Sequence, residues 1–145
     1  MKNIAASMNN YLSDLVVFYL KLHDLHWNVK GLQFVPVHKY TEAQYEGMAE
    51  KFDEIAELVL MHGEKPVSSI REYLELASIQ ELNKGSYRDE EVLKIIAGDL
   101  SYLKSKAEEI RLAMAEEDIF DAVAMLEEHV AGYEKELWFL NSMMA

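Results

Sequence analysis

The 145-residue chain contains no cysteine, which excludes disulfides and thiolate metal sites. That absence is compatible with a life among oxidants. It has no long charge-free apolar run, so no membrane span is expected. Met1-Lys2-Asn3-Ile4 lacks the apolar stretch of a secretion signal, and the cytoplasm is the expected compartment. Positive charge is scarce: 14 Lys and Arg stand against 26 Asp and Glu, a formal net charge of −12. Neither end carries a basic tail. So acidic a protein repels nucleic-acid phosphates and attracts cations, and tail-mediated DNA binding is not expected. No internal repeat, low-complexity tract or linker interrupts the chain, and no alternating strand pattern competes with helix. Residues 1–145 read as a single domain, long enough to bury a core.

Half of the residues are apolar, and they recur with a helical period. Met8, Leu12, Leu15, Tyr19, Leu22 and His26 step by four and three, the buried stripe of an amphipathic helix. Gly31 lies shortly after its end as a stop. Pro36 suits the first turn of a second helix, where its missing N–H costs nothing. Tyr45, Met48, Phe52, Ile55, Val59 and His62 continue that helix to Gly63 and Pro66. Val92, Ile96, Leu100, Leu103, Ala107, Ile110 and Met114 mark a third helix; Val123, Leu126, Val130, Tyr133, Leu137 and Leu140 mark a fourth. Asp89 and Asp118 are the expected N-caps of these two.

Short connections make the first and second helices, and the third and fourth, antiparallel hairpins. The connection from about Gly63 to Arg88 is long and suits a crossover along the whole bundle. Within it, Ser69-Ile70-Arg71-Glu72 reads as a capping box that opens a short helix carrying Ile70, Tyr73, Leu74 and Ala77. The expected fold is all-α: a ferritin-like four-helix bundle with a short extra helix in the crossover between the second and third helices.

Four side chains carry candidate chemistry: His26, His38, Asp53 and Glu57. Two imidazoles and two carboxylates suit ferrous iron. His38 and Asp53 lie fifteen residues apart on one helix, roughly 22 Å along its axis. His26 can sit beside His38 across the hairpin, and Asp53 and Glu57, at i and i+4, share a helix face. One chain therefore offers a histidine pair and, far from it, a carboxylate pair. A two-fold partner running the opposite way brings one chain's histidines to the other's carboxylates, and does so twice. The expectation is an intersubunit metal site, two per dimer. A site inside one bundle needs Glu-x-x-His pairs. The positions three before the five histidines hold Leu20, His23, Val35, Val59 and Leu126 instead.

The stretch from Lys21 to Glu57 resembles the signature of the Dps mini-ferritins, the DNA-protection-in-starvation family. It is most similar to the acidic, tailless branch that includes the neutrophil-activating proteins. The family pattern is a histidine followed by tryptophan, a second histidine twelve residues on, an aspartate fifteen further and an acid four beyond. His26-Trp27, His38, Asp53 and Glu57 match it in type and spacing. Helix count, the crossover helix and Leu137-Trp138-Phe139 extend the resemblance over nearly the whole chain.

The resemblance implies a hollow homododecamer of 23 symmetry, built from two-fold dimers with ferroxidase sites at their interfaces. It implies oxidation of ferrous iron by hydrogen peroxide, or by oxygen, at a site taking one or two irons. Ferric mineral would be stored in the cavity, protecting the cell from oxidative damage. His26, His38, Asp53 and Glu57 would be the ligands, and Trp27 would intercept stray oxidising equivalents. The competing reading is a DNA-binding nucleoid-protection protein without important iron chemistry, which the net charge opposes.

Other residues divide between functional and ordinary readings. Glu42, Glu46, Glu50, Asp53 and Glu57 form an acidic ridge, either a solvated helix face or a cavity wall that nucleates mineral. Asp118, Asp121, Glu127 and Glu128 cluster near the start of the fourth helix, either as entry-pore carboxylates or as acids drawn to a helix N-terminus. His23 reads as a packing residue, with an accessory or extra-ligand role as the alternative. His62 reads as a cation at a helix C-terminus, and His129 as a surface or interface residue.

Overall fold

The stripe beginning at Met8 folds as helix α1, Ala5–Asn28, which buries Met8, Leu12, Leu15, Leu22 and His26 and half-buries Tyr19. This computed structural model describes residues 4–145. Met1–Asn3, on which most of the secretion-signal reading falls, lie outside the described residues. The remaining elements are strand β1 (Val29–Lys30), α2 (Phe34–Met61), α3 (Ile70–Leu76), strand β2 (Tyr87–Arg88), α4 (Asp89–Glu116) and α5 (Phe120–Met144). The long helices pack most extensively as the pairs α1–α2 and α4–α5, the two hairpins that the short connections require. All seven residues of the third stripe are buried on α4.

The helix ends follow local chemistry. Pro36 sits in the first turn of α2. At the other end, Gly63 takes φ 76°, while its N–H bonds to Leu60 O and the Glu64 N–H to Val59 O. That is a Schellman motif, with glycine in the left-handed position. The α4–α5 corner repeats it with a different residue. Asp118 N–H bonds to Ala115 O and Ile119 N–H to Met114 O, and Asp118 takes φ 55°. Asp118 therefore closes α4 in the left-handed region, where Asp is among the few tolerated non-glycine residues. It is not the N-cap of α5; Ile119 holds that position.

Asp89 departs from expectation by one residue. It is the first residue of α4, and Arg88 is the N-cap. The Asp89 carboxylate reaches across the bundle end to accept the Gln33 N–H at 2.9 Å, and it also accepts the Glu90 N–H. These bonds hold Asp89 below the usual aspartate range. The crossover brings a second departure from the purely helical expectation: β1 and β2 form a short parallel bridge, Val29 opposite Tyr87. It ties the α1–α2 turn to the start of α4. Gly31 in that turn has φ 136°, and a Cβ there would lie 2.3 Å from Asp89 Oδ2.

Only half of the capping box expected at Ser69 forms: the Ser69 hydroxyl caps the helix by accepting the Glu72 N–H, but the Glu72 carboxylate accepts that same hydroxyl and not the Ser69 main-chain N–H. The helix it opens ends at Leu76, so Ala77 is its C-cap and not a helical residue. Buried Asp14 on α1 anchors the chain beyond. It accepts the Ser78 and Ile79 N–H groups at 2.7 and 2.9 Å and the Tyr102 hydroxyl at 2.7 Å. Buried Lys21 pairs with Asp99 of α4 at 2.7 Å.

Candidate metal centre

The first half of the candidate site is a histidine pair. His26 lies in the last turn of α1 and His38 near the start of α2, and their rings stack at 3.7 Å with an angle of 13°. The contact is held by a reciprocal exchange. His26 Nδ1–H donates to His38 O at 2.7 Å, and His38 Nδ1–H donates to His26 O at 2.8 Å. Thr41 Oγ1 is a further partner of His26 Nδ1 at 2.9 Å. A carbonyl oxygen only accepts, so Nδ1 must carry the proton on both rings. Each neutral ring then carries its lone pair on Nε2, the tautomer a metal ligand needs. Burial, the largest effect, holds His26 below the ordinary imidazole value and keeps it neutral. Phe34 stacks on His38, and Tyr45 meets His26 edge-on, so aromatic walls fix both rings.

The second half is a carboxylate pair. Asp53 and Glu57 are exposed on α2. The hydrogen bond that the Asp53 carboxylate accepts from the protonated Glu57, together with the charge of that carboxylate, raises Glu57 above the usual carboxylate range. Two carboxylates held against each other bind a cation more readily than either does alone. His38 and Asp53 belong to the same unbroken helix, Phe34–Met61. Fifteen residues of it separate them by roughly 22 Å. The fold therefore forms both pairs and keeps them apart. Among the described residues, no group of three or more His, Asp or Glu is placed to share a metal.

The remaining candidates take varied positions. Trp27 is exposed and tilts against His23. It lines an apolar groove between α1 and α3 with Leu20, Ile70 and Leu74. His23 stacks on Tyr45 at 3.8 Å and bonds to Tyr19 O, a packing arrangement. Glu42, Glu46 and Glu50 are exposed along α2, and Glu42 comes within 4.0 Å of His26 Nε2. His62 is the C-cap of α2 and pairs with Asp121 at 3.0 Å. Glu127 pairs with Arg111 at 2.7 Å, and Glu128 is exposed.

His129 corrects the sequence reading. It is buried in the bundle, with Tyr11 on one ring nitrogen and Glu54 on the other. Its place three residues after Leu126 and four before Tyr133 puts it on the buried stripe of α5. That spacing was the available signal. Thr41, which helps orient His26, was also missed, and no motif marks it.

A family profile described as the ferritin-like domain matches residues 5–145. The chain is 33% identical over 143 residues to DNA protection during starvation protein 2 of Bacillus anthracis, spanning 99% of this chain and 97% of that relative. The chain belongs to the Dps family of ferritin-like proteins. The crystal structure of a Dps protein from Bacillus brevis matches all of both chains with a TM-score of 0.95 and 31% identity. A Dps protein of Vibrio cholerae O1 is described as a member of a broad superfamily of ferritin-like diiron-carboxylate proteins. It matches with a TM-score of 0.93 and 27% identity over 97% of this chain and 87% of its own. The five-helix Dps architecture is thus shared through bundle and crossover alike. No helix among the described residues is long and apolar enough to cross a membrane.

Proposed function

We propose that this Dps protein is a ferroxidase that oxidises ferrous iron with hydrogen peroxide, or oxygen, at sites shared between two subunits. His26 and His38 of one subunit and Asp53 and Glu57 of the other would bind the substrate iron. The observation carrying this reading is the pre-formed state of both halves. Two Nε2 lone pairs are presented together by main-chain hydrogen bonds, and two carboxylates crowd each other on the same helix, out of reach of the histidines. An antiparallel two-fold partner supplies to each half what it lacks. The apolar groove of Leu20, Trp27, Ile70 and Leu74 supports a partner on that face.

The residues' roles follow from ligand chemistry. The neutral imidazoles hold Fe(II), and the anionic oxygens of Asp53 and Glu57 favour Fe(III), which lowers the barrier to electron loss. Few protein ligands leave positions open for water and peroxide. Two ferrous ions giving one electron each reduce one peroxide to water, so the O–O bond breaks without hydroxyl radical release. Trp27 beside His26 would intercept an oxidising equivalent that escapes. Ferric mineral would collect inside a hollow homododecamer in the cytoplasm, with Glu46 and Glu50 as nucleating carboxylates. Asp121, Glu127 and Glu128 would line entry pores, two of them already engaged with His62 and Arg111.

The test is anaerobic loading with Fe(II) followed by peroxide, watching Fe(III)–oxo absorbance beside a protein-free control. A fast rise with soluble product and about two Fe(II) consumed per peroxide, as two-electron reduction requires, supports the ferroxidase. A rise no faster than the control removes it. The second reading, DNA protection by direct binding, rests on the name of the B. anthracis relative. The net charge of −12 opposes it. A salt-dependent gel shift at neutral pH would favour it.

A further inference from the structure

The interior of the bundle holds a polar chain that the metal reading leaves unused. Tyr11 of α1 and Tyr133 and His129 of α5 are all nearly inaccessible, at 0%, 1% and 2% exposure. The two hydroxyls lie 2.5 Å apart, and Tyr11 Oη lies 2.8 Å from His129 Nδ1. His129 Nε2 meets the Glu54 carboxylate at 2.5 Å. A carboxylate accepts only, and with the buried His129 ring neutral this sets the direction of every bond. Nε2–H donates to Glu54, Nδ1 accepts the Tyr11 hydroxyl, and Tyr133 donates to the Tyr11 oxygen.

We propose that Tyr11 is a one-electron oxidation site, a tyrosyl-radical site for which His129 is the proton acceptor. Its oxidants would be of the hydroxyl-radical class, formed when ferrous iron and peroxide meet outside a ferroxidase site. The oxidant gains one electron from Tyr11 and becomes hydroxide. The Tyr11 O–H bond breaks, and its proton forms a bond to His129 Nδ1. The product is a neutral tyrosyl radical beside an imidazolium that the Glu54 carboxylate stabilises. An external one-electron reductant such as ascorbate restores Tyr11, and the proton returns.

Three features support this assignment over a purely structural network. Burial pushes Tyr11 well above the ordinary phenol value, so a phenolate is not on the path and electron and proton must leave together. Burial lowers His129, so its Nδ1 lone pair is free to accept. Tyr133 donates to the same oxygen, which suits a hydrogen bond that steadies the radical. Tyr40 supplies the contrast, because its buried hydroxyl has no hydrogen-bond partner among the described residues.

The experiment uses the full-length assembled protein without iron, so its outcome does not depend on the ferroxidase reading. Photogenerated ruthenium(III) tris-bipyridine serves as the oxidant and electron paramagnetic resonance as the readout. The wild type is expected to give a persistent tyrosyl radical that forms more slowly in heavy water. Tyr11→Phe is expected to lose most of that signal, while Tyr40→Phe keeps it. If Tyr11→Phe does not assemble, His129→Gln decides. Its amide can still bridge Tyr11 and Glu54 but cannot take the proton, so the signal should again be lost. A radical unchanged in Tyr11→Phe or His129→Gln, or one insensitive to heavy water, overturns the proposal.

Discussion

His26 and His38 clasp each other: each Nδ1–H donates to the other's main-chain carbonyl, at 2.7 and 2.8 Å, while the rings stack 3.7 Å apart. The bonds that close the α1–α2 turn thus also set the tautomer of both rings. Local folding and the preparation of both rings are one event here, because a ring that leaves its position takes a donor away from a main-chain carbonyl of the other helix.

Thr41 tests how much that preparation matters. Its hydroxyl contacts His26 Nδ1 at 2.9 Å and donates to Val37 O and His38 O. Thr41→Val keeps the shape and removes the hydroxyl, leaving His26 with the His38 carbonyl alone. Outer hydrogen-bond partners of metal ligands are worth roughly 10- to 100-fold in affinity. The expected outcome is metal binding weakened by about ten-fold, the low end of that range, with the sedimentation of the wild type retained in analytical ultracentrifugation. Zn(II) titration calorimetry measures it, and unchanged affinity would mean that the main-chain clasp suffices.

The turn carrying the clasp has one position with no steric freedom. Gly31→Ala puts a methyl group 2.3 Å from Asp89 Oδ2 at a φ of 136°. Strained backbone of this kind costs on the order of 1–3 kcal/mol, and relief of the clash breaks the Asp89–Gln33 bond as well. Urea denaturation should show a loss of that order. Asp118→Gly is the opposite case. At φ 55° glycine suits the left-handed position better, and a gain of about 0.5 kcal/mol is expected.

Asp89 makes part of this stability depend on acid. Its carboxyl is held below the ordinary aspartate value by the Gln33 and Glu90 N–H groups. A lowered folded value means that the ionised form stabilises the fold. That contribution is complete above the unfolded value near 4 and is lost as pH falls through the lower folded value. Asp89→Asn should melt below the wild type at neutral pH, and the gap should close as the medium is acidified. A gap that stays constant across that window would contradict the assignment.

Much of the fold was legible from spacing alone. The stripes on α1 and α4 read directly into buried faces, those on α2 and α5 into faces half of whose expected residues are only half-buried, and the Ser69–Glu72 pattern marked α3. The errors lie where tertiary contacts override local propensity. Asp89 and Asp118 both look like N-caps, yet one serves the neighbouring turn and the other closes the preceding helix in a left-handed conformation. His129 was misplaced because its residue type outweighed its position on the α5 stripe. For the candidate site, the two halves were legible because i, i+4 spacing and hairpin antiparallelism are local rules. The reciprocal clasp was not legible, since it depends on the exact path of the Asn28–Phe34 turn, and the β1–β2 bridge there joins residues far apart in sequence.

The central claim, that each site draws its histidines and its carboxylates from different subunits, has a direct test. His26→Ala/His38→Ala subunits and Asp53→Ala/Glu57→Ala subunits are prepared separately, then unfolded and refolded together. A mixed dimer contains one site lacking all four ligands and one site with all of them. Each variant alone should oxidise Fe(II) with peroxide no faster than the protein-free control. The co-refolded mixture should recover fast oxidation, in proportion to its mixed dimers. A mixture as inactive as its two parents would place the ligands within one chain or outside these residues, and would contradict the account.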